Sequence, residues 1–339
     1  MTSLERIQKT GIYRVGTPAR GFRYKRVDGK KVSAEDQKRI HALRIPPGWT
    51  DVWVNARATG TVQVIGKDAA GRLQYLYHDS HVQKRKAKKF KRLIKFGEAL
   101  PKLRSGVASH LRQTGLGRER VLATILRILS MSFLRPGSQV YASENGSFGI
   151  ATLRPKHVKV RKDVVEFDFP GKSGVQQVRT VKDHHVAQVV RELLKIPSRE
   201  VFKYKNGSGE FIDVTRPHIN AYIREVMGEN FSAKDFRTWA GTLTCACALA
   251  RATNEPEESE RARKKKIVEA IKETAEVLGN TPAVCRSSYV CPEIIYNFEN
   301  GQCIKKYFGS LNELTRYRGR KLHPAEKSLL SFMKRANGK

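Results

Sequence analysis

Acidic residues are scarce in this chain: 32 Asp and Glu stand against 65 Lys and Arg, a formal net charge of +33 over 339 residues. A compact protein of that charge repels itself unless a polyanion neutralises it, so nucleic acid is the expected partner. A membrane is a poorer fit, because no apolar run is long enough to span a bilayer and no basic amphipathic helix stands out at a terminus. Met1-Thr2-Ser3-Leu4-Glu5-Arg6 lacks the apolar stretch of a signal peptide. Cysteine is limited to Cys245, Cys247, Cys285, Cys291 and Cys303, an odd number without a C-x-x-C pair. That argues against a disulfide framework and a zinc site, and it fits a reducing compartment, the cytoplasm with its nucleoid. A Gly-rich phosphate loop running into Lys-Ser/Thr is missing, as is a carboxylate cluster for a divalent ion, so neither ATP nor a metal is expected as a cofactor.

What is present is enough apolar sequence, 40% of the residues, for a sizeable core and for about two domains. Residues 20–80 read as short strands broken by turns: 52–54, 61–65 and 73–77 are separated by Gly60, Gly66 and Gly71, and Val27-Asp28-Gly29-Lys30 is a hairpin-turn signal. A β-rich domain over 1–82 is expected. Residues 82–104 carry ten Lys or Arg against one Glu. We read 83–104 as a basic connector, with Lys84, Arg85, Lys86, Lys88 and Lys89 laid along phosphates; a solvated charged helix is the plainer alternative.

The rest, 105–339, reads as a mainly helical domain. Val121, Leu122, Ile125, Leu126 and Leu129 share one helical face. Strands follow at 157–160, 164–169 and 175–179, and the turn Pro170-Gly171-Lys172-Ser173-Gly174 puts Lys172 at a hairpin tip. Helices are expected at 184–195, 215–228, 237–251 and, exposed and charged, near 257–278.

Five side chains in chain order carry chemistry: Arg135, Lys172, Arg237, Asn280 and Tyr289. A phenol with an ordinary pKa near 10 is a poor nucleophile unless neighbouring cations favour the phenolate. Two arginines would do so and would also stabilise a five-coordinate phosphorus. A lysine can protonate a leaving oxygen, and an asparagine can donate to a phosphate oxygen. Arg286, just ahead of Tyr289, adds a basic contact for DNA. Taken singly, each has a plain structural reading: a packed Tyr, a solubilising Lys, an Arg capping a helix or pairing with a carboxylate, an Asn in a turn.

Longer matches surround these residues. They are Ile45-Pro46-Pro47-Gly48-Trp49-Thr50-Asp51-Val52-Trp53, Gly66-Lys67-Asp68, Gly71-Arg72-Leu73-Gln74-Tyr75, Asn145 through Arg154, Phe169 through Gly174, Lys234-Asp235-Phe236-Arg237-Thr238-Trp239 and Asn280 through Tyr289. In them the chain resembles the bacterial and poxvirus-like DNA topoisomerase IB family. The resemblance implies an α+β protein: a small β-rich N-terminal domain and a larger, mainly helical catalytic domain with a three-stranded antiparallel sheet, together a clamp around duplex DNA. It implies a monomer that relaxes supercoils through a 3′-phosphotyrosyl link on Tyr289, with Arg135, Lys172, Arg237 and Asn280 in the remaining roles. Two positions depart from the family's habit. Pro136-Gly137-Ser138-Gln139 stands where Val-Gly-Asn-Glu is common, and Asn280 stands where many relatives have His. A tyrosine recombinase shares much of this set but usually has a His where Lys234 stands. A purely architectural DNA or RNA binder would form no covalent adduct.

Overall fold

The computed structural model describes residues 1–228, 231–253 and 259–337, and the chain divides into two units, Met1–Lys89 and Phe90–Lys339. In the first, Thr2 opens α1 (Ser3–Thr10) with a reciprocal cap: its hydroxyl accepts from the Glu5 amide at 3.2 Å while the Glu5 carboxylate accepts from the Thr2 amide at 2.8 Å. Five strands follow, β1 (Ile12–Thr17), β2 (Gly21–Arg26), β3 (Thr50–Val54), β4 (Val62–Lys67) and β5 (Leu73–Tyr77), in one antiparallel sheet of order β2-β1-β3-β4-β5. Helix α2 (Ala34–Ala42) intervenes between β2 and β3. Ile12, Val52, Val54 and Val64 from the sheet and Ile40 from α2 form the buried core.

The Asp28-Gly29 turn signal does not make a hairpin. The hairpin is the one joining β1 and β2, and after Asp28 the chain enters α2 instead. Asp28 is taken up by Arg26, at 3.1 Å, and by the Lys30 amide. Ser33 then caps the helix by accepting from the Asp36 amide at 3.1 Å. The run Ser33-Ala34-Glu35-Asp36 is a helix-start signal, and no alternating apolar run follows to pair with β2.

Helix α3 (Asp79–His110) begins in the first unit and ends in the second. It contains the whole stretch read as a connector. From Phe90 onward it has an apolar stripe, Phe90, Leu93, Phe96, Leu100, Leu103 and Val107, all buried. Phe96 meets Phe231 and Phe236 edge-on, at 5.4 and 5.2 Å between ring centroids, and Trp239 at 6.2 Å.

The second unit is built around α4 (Arg118–Ser132), which is buried along most of its length, Arg120, Thr124 and Ser132 included. After α5 (Gln139–Asn145) come β6 (Val158–Arg161), β7 (Val164–Pro170) and β8 (Gln176–Lys182), an antiparallel sheet of order β6-β7-β8. Then follow α6 (His184–Leu194), the small hairpin of β9 (Lys203–Lys205) and β10 (Phe211–Asp213), α7 (Arg216–Met227), α8 (Ala233–Ala252), α9 (Glu260–Leu278), α10 (Pro282–Ser288), α11 (Pro292–Glu299), α12 (Leu311–Arg316) and α13 (Pro324–Asn337). The mixed α and β content, the N-terminal sheet and the larger helical part with its three strands are those expected from the sequence. The start of the charged helix expected near 257 falls partly outside the described residues. Helix α8 is the second buried axis, and its small residues Ala240, Gly241, Ala246 and Ala248 let its neighbours approach closely.

One close approach gives a test of this packing. In an open helix, replacing Gly by Ala adds about 0.5–1 kcal/mol of stability. At Gly97 a β-carbon would fall 2.5 Å from two ring carbons of Trp239. Gly97→Ala is therefore expected to cost about 1–3 kcal/mol by overpacking, read in chemical denaturation as a lower midpoint with an unchanged slope. A higher midpoint would contradict the contact.

Candidate active site

The carboxyl end of α9 organises the site. Gly279, at φ 57°, closes the helix by donating to Glu276 O at 3.1 Å, and the Asn280 amide reaches back to Ala275 O at 2.9 Å. The next carbonyls, Val277, Leu278 and Gly279, have no later turn to serve. Arginines supply their donors. Arg237 Nη2 donates to Leu278 O at 2.7 Å, Arg135 Nη2 to Gly279 O at 3.4 Å, and Arg179 Nη2 to Val277 O at 3.3 Å.

Arg237 stands in the first turns of α8 and is only 3% exposed. Its Nη1 donates to the carbonyl of Phe133, which ends α4 in a left-handed turn at φ 54°. Arg135 follows two residues later, so the α4 terminus places one arginine and anchors the other. Arg135 Nη2 also donates to Asn280 Oδ1. That bond fixes the amide's orientation and leaves Asn280 Nδ2 as a buried donor with no partner. Asn280 is thus both the turn residue between α9 and α10 and a donor held ready beside two guanidinium groups.

Tyr289 ends α10, half-buried, with the Arg237 guanidinium 5.1 Å from its ring centroid. Burial alone would push its phenol up. The charges of Arg237, Arg135 and Lys234 outweigh burial and hold it below its usual value of 10. Burial, aided by the charge of Arg135, in turn pushes Arg237 down to about 10, which leaves it cationic at neutral pH. The three groups form one electrostatic unit in which the guanidinium charges ease ionisation of the phenol against the effect of burial.

Lys172 sits where the turn sequence put it, exposed at the tip between β7 and β8, next to Ser173 at φ 62° and Gly174 at φ 73°. Among the described residues it has no hydrogen bond or ion pair to the other four. The structure brings Arg135, Arg237, Asn280 and Tyr289 together and leaves Lys172 extended on its hairpin. Arg286 is exposed on α10, one turn before Tyr289. Lys84, Arg85 and Lys88 are exposed on α3, Arg85 lying 5.7 Å from the Tyr77 ring centroid. Lys89 is partly exposed, and the side chain of Lys86 lies outside the described residues.

Four contributors have no site role assigned from the sequence alone: Arg179, Lys234, Gly241 and Thr242. A glycine within a helix is the one legible signal, because it costs helix stability and marks a close approach. A β-carbon on Gly241 would lie 3.0 Å from Tyr289 Cβ and 3.0 Å from its carbonyl oxygen. Thr242 Oγ1 donates to that carbonyl at 3.0 Å and accepts from the Cys291 amide at 3.2 Å. Helix α8 thus seats the tyrosine backbone through two adjacent residues and supplies Arg237 one turn earlier.

Comparison with known proteins identifies the family. A family described as "Eukaryotic DNA topoisomerase I, catalytic core" matches residues 78–307, and "Bacterial DNA topoisomerase IB, N-terminal domain" matches residues 21–68. DNA topoisomerase 1B of Acanthamoeba polyphaga mimivirus is 35% identical over 295 residues, covering 86% of this chain and 88% of its own. DNA topoisomerase 1B of vaccinia virus (strain Copenhagen) is 26% identical over 264 residues, covering 76% of this chain and 80% of its own. The solved XerH site-specific recombinase bound to difH is 14% identical and covers 56% of this chain and 48% of its own at a TM-score of 0.35, a likeness too slight to argue from. The match over most of the chain, on both units, settles the family: this protein belongs to the type IB DNA topoisomerases.

Proposed function

We propose that the chain relaxes supercoiled duplex DNA by cutting one strand with Tyr289 and resealing it, without ATP or a metal ion. The observation that carries this reading is the Tyr289 phenol held below its ordinary pKa by Arg237 and Arg135, with the spare Asn280 donor beside Arg135.

In this mechanism Tyr289 gives up its phenolic proton to solvent water, and Oη attacks the scissile phosphorus. The P–O5′ bond breaks as the P–O bond to tyrosine forms, leaving a 3′-phosphotyrosyl ester and a 5′-hydroxyl. Arg135, Arg237 and Asn280 donate to the non-bridging oxygens as charge builds on them. Lys172 delivers the proton that the departing 5′-oxygen needs, from a hairpin tip free to close over bound DNA. The free end rotates about the intact strand, and the 5′-hydroxyl then attacks the phosphotyrosine to reverse the step. One phosphodiester is exchanged for another of similar energy, so no nucleotide is consumed. All five side chains come from one chain, so a monomer suffices, acting on double-stranded DNA of the nucleoid. The basic run Lys84, Arg85, Lys86, Lys88 and Lys89, together with Arg286, adds phosphate contacts that position the duplex.

Relaxation of supercoiled plasmid in EDTA, without nucleotide, tests the whole reading. The unmodified protein is expected to relax it, and Tyr289→Phe to bind duplex nearly as well but relax nothing. Relaxation by the Phe variant would move the nucleophile elsewhere. Lys172→Ala is expected to slow single-turnover cleavage by about 10²–10⁴-fold, the usual loss for a general acid. A 5′-bridging sulfur, which leaves without a proton, should restore most of that rate; a substrate showing no rescue would make Lys172 a positioning residue. Replacing Lys84, Lys86, Lys88 and Lys89 by Gln should flatten the slope of log affinity against log salt by about 0.9 for each phosphate that is no longer neutralised. An unchanged slope would make that basic run merely solvated.

A further inference from the structure

Three arginines, rather than two, close on the end of α9. Val277, Leu278 and Gly279 present successive carbonyls, and each takes a donor from a different element: Arg179 of β8, Arg237 of α8 and Arg135 beyond α4. Arg179 is packed directly against the turn that carries Asn280, since a β-carbon on Gly279 would lie 3.3 Å from its Nη2. Its Nη1 donates to the carbonyl of the preceding residue, Val178, at 2.8 Å. Those two bonds use two of the five N–H donors of the guanidinium and leave three.

The charge environment separates these arginines from structural ones elsewhere in the same unit. Arg120 is paired with Glu192 at 2.8 Å and Arg118 with Glu225 at 2.7 Å. Among the described residues, none of Arg135, Arg179 and Arg237 has a carboxylate partner. The charges that act on them are their own and the Tyr289 phenol: Arg179 is pushed down by burial and then by Arg135, and Arg237 by burial and then by both other arginines. Gathering three like charges in a half-buried site is unfavourable unless an anion enters.

Building on the proposed reaction at Tyr289, we propose that Arg179 is a further catalytic residue, a third guanidinium that donates to a non-bridging oxygen of the scissile phosphate beside Arg135 and Arg237. Asn280 contributes a hydrogen bond there but no charge, and Arg179 adds positive charge at the same turn. Its position on β8 also ties the strand leaving the Lys172 hairpin to the site. Phosphate bound against Arg179 therefore fixes the base of the arm that carries the general acid.

Arg179→Gln tests the charge directly, because Gln retains a donor for the Val277 carbonyl. Arg179→Lys keeps the charge and loses the fork. In single-turnover cleavage at saturating protein, the Gln variant is expected to be slower by roughly 10–10²-fold, in the range for a lost transition-state donor. The Lys variant should fall between Gln and the unmodified protein, with melting temperature and duplex affinity little changed in both. Replacing each non-bridging oxygen of the scissile phosphate in turn by methyl should abolish the Gln penalty for one of the two substrates. A wild-type rate for Arg179→Gln, or the same penalty on both methyl substrates and the native one, would overturn the proposal and leave Arg179 as a clasp on α9. A lowered melting temperature with unchanged cleavage at saturation would do the same. Failure of the unmodified protein to form a Tyr289-linked adduct would instead remove the reaction itself, an outcome distinct from slow cleavage confined to the Arg179 variants.

Discussion

The hydrogen bonds from arginine side chains to the last carbonyls of α9 are the constraint on which the site depends. A helix end leaves carbonyls without partners and carries partial negative charge. Here that end is buried, and guanidinium groups from the end of α4, from α8 and from β8 converge on it. Each arginine is held by backbone oxygens instead of a carboxylate, so its charge is positioned without being neutralised. Burying a cation still costs several kcal/mol after relaxation. The interaction with the tyrosine runs in the opposite direction, and Tyr289 sits below its usual pKa despite burial. The same gathering of like charges favours an entering phosphate.

The supporting structure follows from that demand. Gly241 and Thr242 on α8 bring the tyrosine backbone close to the helix that also carries Arg237. The left-handed turn at Phe133 ends α4, supplies a carbonyl to Arg237 and sets Arg135 two residues on. Gly279 and the Asn280 amide close α9 so that the Asn280 side chain meets Arg135. Local chain geometry and the candidate site are therefore coupled: the groups that end helices are also the groups that hold its side chains.

Much of this was legible in the sequence, for identifiable reasons. Apolar periodicity gave α4 and the three strands after it, and Gly171-Lys172-Ser173-Gly174 marked a tip because glycine and a small hydroxyl residue tolerate the left-handed turn found there. Tyr289, Arg237, Arg135 and Asn280 stood out by order and by the motifs around them. What failed was local competition. Asp28-Gly29 reads as a hairpin turn, but the Ser33 cap takes the chain into α2. Arg179 carries no signal in the sequence, and Lys234 shows there only as the position where a recombinase has His, because their roles arise from approach to α9 and Tyr289 across long sequence separations, which no spacing rule reports. The charged stretch within α3 shows the same limit. Its Lys and Arg content masked the stripe from Phe90 to Val107 that the structure buries.

The most direct measurement is the chemical identity of the linkage. Duplex DNA with a nick or terminus just 3′ to the cut, so that the leaving strand diffuses away, traps the covalent intermediate; protease digestion and mass spectrometry then locate it. The expected result is a peptide carrying DNA as a 3′-phosphate ester on Tyr289, formed in EDTA and without nucleotide. A link to another residue, to a 5′-phosphate, or no link from protein that relaxes plasmid would contradict the assignment of Tyr289 as the nucleophile.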